Sequence, residues 1–296
     1  MIADIASILR LHIIGVAVMA TLVFGWLLTG EYPIAIALLG GVDWMLINLL
    51  NKITDVEEDR INGIAGTERV ASNQRGFTIA WVVIAVGSFG FSLWRYPELT
   101  GWRVIVQLIG LAYSISLVPT LKGLRRFKDL YFFKNFMSSV LFVLTCFVYP
   151  LVVGTLIHPG GMLTVVLLVA FFVPFELTYE ILYDLRDLEG DRAEGVPTYP
   201  VVHGPATSIR IINGLLLCAS AALVAGLCVG AIGLLEGLML VAPIIQFVFY
   251  RPRYQRGLTA RDCIVLTHLG SVLLLVYIAG TQAWLGLDLP ANIYLV

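Results

Sequence analysis

Two stretches of this chain carry one nine-residue pattern, Asp-x-Glu-x-Asp-Arg-x-x-Gly. It occurs at Asp55, Glu57, Asp59, Arg60 and Gly63, and again at Asp187, Glu189, Asp191, Arg192 and Gly195, each time at the end of a long apolar run. In the first copy Asn51, Asp55 and Asp59 are spaced i, i+4, i+8; in the second Asp184, Asp187 and Asp191 are spaced i, i+3, i+7. Either spacing puts its members on one face of a helix. Carboxylates so close repel unless a cation sits between them, and near a membrane the cost rises. A hard divalent ion meets that need, because Mg2+ takes one or two protein carboxylates and keeps its remaining positions for water and phosphate oxygens. Two such clusters facing each other are expected to hold Mg2+ around a diphosphate. The alternative, two solvated helix ends, does not explain why Arg and Gly recur in register.

The elements that carry these residues follow from composition. The chain has 296 residues, 59% hydrophobic and 13% charged, with mean hydropathy +0.90, whereas soluble domains are about 25% charged. Apolar runs long enough to cross a bilayer begin near Ile8, Pro33, Phe77, Trp102, Tyr131, Gly161, Ser208, Gly233 and Cys263. Lipid cannot satisfy backbone polar groups, so the runs must be helices. The expected fold is an all-α polytopic membrane protein: about nine transmembrane helices in a bundle around a central cavity, one domain over 1–296. The repeated motif implies two pseudo-repeated halves, helices two to five against six to nine. Taking loops alternately, every Lys and Arg except Arg95 and Arg103 falls on one side. By the positive-inside rule that side is cytoplasmic, and both acidic motifs face it across a cell (inner) membrane. A net charge of −1 argues against a general polyanion binder, so no nucleic-acid partner is expected. The cysteines (Cys146, Cys218, Cys228, Cys263) lie in or beside apolar runs without metal-ligand spacing and are read as buried, inert thiols.

At its motifs the chain resembles the UbiA superfamily of intramembrane prenyltransferases. Asn51-Lys52-Ile-Thr-Asp55-Val-Glu-Glu-Asp59 is similar to that family's N-D-x-x-D-x-x-x-D, and Asp184-Leu-Arg-Asp187-Leu-Glu-Gly-Asp191 matches D-x-x-D-x-x-x-D in full. The continuation from Gly195 through Thr198 and Pro200 to Gly204 resembles G-x-x-T-x-P-V-x-x-G. Tyr113-Ser114, the run from Lys122 through Arg125, Arg126 and Lys128, and Lys134-Asn135 resemble the stretch after the family's fourth helix. Two departures stand out: Lys52 replaces the usual first Asp, and Arg69-Val70 replaces Arg-Pro.

The resemblance implies Mg2+-dependent ionisation of a polyprenyl diphosphate donor and capture of the allyl cation by a lipophilic or aromatic, quinone-precursor-type acceptor. It implies metal ligands at Asn51, Asp55, Asp59, Asp184, Asp187 and Asp191, catalytic roles for Asp55, Asp59, Asp187 and Asp191, and diphosphate contacts from Lys122, Arg126, Lys128 and Arg69. Tyr113, Tyr179 and Tyr183 are expected to shield the cation or line the acceptor pocket through their π faces. Asp43 and Glu180 are ionisable groups inside apolar helices, which gives each a functional prior, Glu180 as support for Asp184 or as a proton acceptor. Two other readings share these features: an intramembrane terpene cyclase, which captures the cation internally, and a secondary transporter, which also shows repeats and intramembrane acids. Against the transporter, the acids cluster at one membrane face.

Overall fold

The computed structural model describes residues 2–295 apart from Asn62, Lys122, Asp288 and Ala291; the side chains of residues 2–4 and Glu194 are not described. Among the described residues nine long helices follow the apolar runs: α1 (Leu11–Thr29), α2 (Ile34–Thr54), α3 (Gln74–Arg95), α4 (Pro97–Ser114), α5 (Phe133–Val153), α6 (Gly161–Arg186), α7 (Pro205–Cys228), α8 (Leu234–Gln255) and α9 (Ala260–Gly286). Their ends sit where backbone chemistry requires. Gly30 terminates α1 at φ 76°, donating its N–H to the Trp26 carbonyl, a left-handed conformation that costs glycine nothing. Pro97 and Pro205 open α4 and α7, where a missing N–H is harmless. Thr259 caps α9 by exchanging hydrogen bonds with Asp262.

Eight of the nine are long and apolar enough to span a bilayer. The remaining one, α4, has 18 residues but carries Glu98, Arg103 and Gln107. Arg103, expected in a loop on the non-cytoplasmic side, is instead wholly buried within α4. Its guanidinium clasps both Asp43 oxygens at 2.8 and 2.9 Å, reaches the Ser88 carbonyl at 2.8 Å and stacks over Phe89. Tyr149 donates to Asp43 at 2.9 Å. The prior placed on Asp43 is therefore met by a structural role, a clamp joining α2, α3, α4 and α5.

Packing closes the helices into a ring, α1–α2–α4–α5–α6–α7–α8–α9 and back to α1, with α3 outside against α2 and α4. The core runs through the inner faces, with Phe24, Phe147, Phe142 and Phe172 in mutual ring contact. Outward faces stay apolar: Val83, Val86 and Trp94 on α3 are 64%, 68% and 78% exposed, which suits hydrocarbon as solvent. Cys146 and Cys263 are buried as expected, but Cys218 and Cys228, on α7, are exposed, which corrects the expectation for those two. Beyond the long helices, short ones (Ile2–Leu9, Val56–Ile61, Thr67–Ser72, Leu188–Glu194, Tyr199–His203) and a hairpin of β1 (Val118–Thr120) with β2 (Gly123–Arg125) gather at one end.

Candidate active site

The two acidic motifs share a backbone as well as a sequence. Asp55 follows the last turn of α2, its N–H bonded to the Asn51 carbonyl at 2.9 Å, and the chain resumes as Val56–Ile61. Asp187 follows α6 in the same way, bonded to the Tyr183 carbonyl at 3.0 Å before Leu188–Glu194. Asp59 and Asp191 bond back to these aspartates at 2.8 and 2.9 Å, and their carbonyls accept from Ile64 and Val196, both at 2.9 Å. Gly63 (φ 63°) and Gly195 (φ 71°) make the left-handed turn that brings those N–H groups round. The recurring glycine is thus explained by a conformation that side chains resist.

Both motifs open onto one cavity of about 1260 Å³. Asn51, Asp55, Asp59, Asp184, Asp187 and Asp191 all line it, as do Lys128, Tyr113, Tyr179 and Tyr183. The short helices surround its mouth with Glu58, Ile61, Ile64, Leu188 and Val196. Beyond the acids the walls become aromatic and aliphatic, from Phe175 and Phe171 to Phe24, Met239 and Gly280. Arg126 stands just outside, 3.5 Å from Asp55 and bound to Asp129 at 2.8 Å. Arg69, on Thr67–Ser72, is exposed and is not among the lining residues. Lys122 falls outside the described residues.

Each of the aspartates Asp55, Asp59, Asp184, Asp187 and Asp191 is met by a cation. Lys52, buried, holds Asp59 at 2.7 Å; Lys128 reaches Asp55 at 2.6 Å and also Glu58. Lys134 bridges Asp184 at 3.0 Å and Asp191 at 3.2 Å, while Asn135 donates to Asp184 at 2.7 Å. Arg186 forks onto Asp187 and stacks over Tyr183. Asn51 joins the network from Arg10 at 3.1 Å to Asp55. Burial raises the Asp55 carboxyl above the usual range, with Lys128 opposing, and pushes Asp191 up to about 6, with Lys134 opposing and Asp184 adding. These are the signs of carboxylates held together at a charge cost. Because each is turned toward a basic side chain, no three metal-ligating side chains converge among the described residues. The donors are nevertheless all carboxylate or amide oxygens with no thiol or imidazole, the set a hard divalent cation prefers.

Deeper, Glu176 and Glu180 enter the cavity from α6 one turn apart, against Ser138 and Ser139 of α5. The sequence reading singles out Glu180 and misses Glu176, although an acid four residues away in the same apolar run is a sufficient signal. Arg10 and Lys134, in the sequence only topogenic charge and motif letters, both stand at the site. His12 also lines the cavity, its ring 6.1 Å from His268 and 6.4 Å from Tyr183.

Fold and site together define an all-helical, multi-pass membrane protein with one carboxylate-mouthed, apolar-walled cavity. The chain belongs to the UbiA prenyltransferase family, whose model matches residues 8–269, and it is a membrane prenyltransferase. In three dimensions it is similar to a UbiA homologue from Archaeoglobus fulgidus solved with DMAPP and Mg2+, with TM-score 0.69 and 16% identity over 92% of this chain and 96% of that one. It is also similar to a structure of a digeranylgeranylglyceryl phosphate synthase, with TM-score 0.57 and 18% identity over 94% and 98%. In sequence, 57 residues are 40% identical to a digeranylgeranylglyceryl phosphate synthase of Haloquadratum walsbyi, a match over 19% of this chain and 20% of that protein's length.

Proposed function

We propose that the protein moves a prenyl group from a polyprenyl diphosphate to a lipophilic or aromatic acceptor held in the same cavity, releasing pyrophosphate. The observation that carries this reading is the convergence of both acidic motifs on the mouth of a single cavity whose depth is apolar. Such a shape accommodates an anionic head and an isoprenoid tail together. Asn51, Asp55, Asp59, Asp184, Asp187 and Asp191 would hold Mg2+, in keeping with the ion named for the Archaeoglobus structure. Mg2+ when bound supplies Lewis-acid stabilisation of charge on phosphoryl oxygens.

The chain's own residues do the rest. Lys128 and Lys134, with Arg126 at the rim, offer N–H donors where negative charge grows as the allylic C–O bond breaks and its electron pair leaves with the diphosphate. Tyr113, Tyr179 and Tyr183 turn aromatic surface toward the cation left behind, and the apolar wall keeps water from it. The new bond forms between the allylic carbon and the acceptor, which gives up a proton. The relatives named as digeranylgeranylglyceryl phosphate synthases put a glyceryl phosphate lipid first among acceptors to try. The motifs face the cytoplasm, because the basic residues gather on their side.

The test is incubation of purified protein in nanodiscs with labelled geranylgeranyl diphosphate, Mg2+ and pools of lipid and aromatic acceptors, with EDTA and Asp187→Ala controls. A metal-dependent product with the mass of acceptor plus prenyl group supports transfer and names the acceptor. A metal-dependent hydrocarbon without acceptor replaces transfer by cyclisation, and silence with donors of every length overturns the reading.

A further inference from the structure

Two carboxyl groups sit inside the cavity where the proposed ionisation has no use for them. Glu176 and Glu180 both line it from α6, beyond the mouth formed by Asp184. Ser138, on α5, lies with its hydroxyl 2.9 Å from Glu176 Oε1 and 3.0 Å from Glu180 Oε1, and Ser139 donates to the other oxygen of Glu176. A hydroxyl has one proton to donate. Ser138 can therefore bond both carboxyls without splitting its proton between them when one of them is protonated and donates back. The pair is read as two carboxyls sharing one proton, with a single negative charge between them.

A second observation lies on the same face of α6. Tyr179, at i+3 from Glu176, lines the cavity, and its hydroxyl is buried without a hydrogen-bond partner. That hydroxyl packs toward Gly270 of α9 and has no surface on the cavity, so Tyr179 offers the cavity its ring.

We infer that Glu176 and Glu180 form the proton acceptor of the transfer. The inference rests on the proposed transferase reading and deepens it. The acceptor is then a protic nucleophile, a hydroxyl or an activated ring C–H. As its electron pair closes on the allylic carbon, its proton passes to the anionic member of the pair, and the pair becomes neutral. In apolar surroundings a base that loses its charge on acting is favoured over one that gains it. The charged groups facing the pair are Asp184 on its own helix, Lys134 from α5 and Arg10 from the start of α1, with the Tyr113 hydroxyl from α4. Asp184 and Lys134, paired at 3.0 Å, lie one turn nearer the mouth, on the side from which the proton leaves.

The experiment compares the wild type with the Glu176→Gln/Glu180→Gln double variant and with each single variant, all in nanodiscs. Glutamine keeps the size and can still bond to serine. For the double variant we expect acceptor prenylation to fall about 10²-fold or more, the range of general acid–base catalysis. Donor binding should stay within about threefold of wild type by the same reasoning, since the diphosphate contacts lie elsewhere. Metal-dependent donor cleavage should persist and deliver prenyl alcohol, water replacing the acceptor. A second measurement needs no turnover: the infrared spectrum of the wild type should contain a protonated-carboxyl stretching band that the double variant lacks. Full prenylation by the double variant overturns the inference alone. Loss of donor binding together with prenylation makes the pair structural and overturns it too. A wild type that prenylates nothing removes the transferase reading and this inference with it.

Discussion

At the scale of single residues the mouth of the site is a set of aspartates each restrained by a cation, and the partners differ in what their loss does. Asp55→Ala and Asp187→Ala remove groups that face the cavity rather than pack, so both variants should extract as folded protein and lose turnover by two orders of magnitude or more, given typical losses for transition-state charge stabilisers. Size-exclusion profiles and product assays on the same preparations check this, and a normally active variant takes its carboxylate out of the mechanism. Lys52 stands where the family resemblance leads one to expect an acid, and the structure places its ammonium on Asp59. Lys52→Met frees that carboxylate, so the Mg2+ concentration for half-maximal activity should fall severalfold. An unchanged Mg2+ titration would remove Lys52 from the site. The acids themselves were legible because i, i+3 and i+4 spacing is a local property. Their cations were not: Lys128 meets Asp55 from 73 positions away, and Lys134 meets Asp191 from 57.

Among elements, the clamp between α2 and α4 has the clearest energetic consequence. Arg103 and Asp43 are both wholly buried and paired in bidentate fashion. Removing one partner leaves an unpaired charge in the bundle, which typically costs about 3–5 kcal/mol. Arg103→Met should lower the unfolding midpoint in detergent accordingly, while Asp43→Leu/Arg103→Met should recover much of the loss; equal destabilisation by single and double variants would show that the pair does not act as a unit. All nine helices could be read from hydropathy and from the glycines and prolines that divide them. The identity of α4 as the polar one, and the meaning of Asp43, could not. An acid in an apolar run reads the same whether it awaits a substrate or an arginine on another helix.

For the molecule as a whole, the ring of helices makes one compartment whose length belongs to the donor. Gly280, on α9, lines the apolar part of the cavity, and a Cβ built there meets nothing within 4 Å. Gly280→Leu fills that space without strain and improves helix propensity by up to about 1 kcal/mol. Its expected effect is selective, a loss of activity of tenfold or more with long donors and little change with DMAPP. Competition between donors in one reaction measures it, and an equal loss for both would place the tail elsewhere. Central enclosure was expected from nine helices and twin motifs; which side chains face inward depends on helix rotation, which hydropathy does not report.

The cavity with acids at one end and hydrocarbon at the other also sets the bookkeeping of the reaction. Pyrophosphate and metal are dissolved in water, so molar concentration describes them, and they leave by the mouth. On the proposed reading the donor tail, a lipophilic acceptor and the prenylated product partition into the bilayer, where mole fraction in lipid is the meaningful variable. Diluting the membranes with buffer therefore leaves substrate saturation almost untouched, while diluting the substrates with inert lipid at constant volume slows the enzyme as though substrate had been withdrawn.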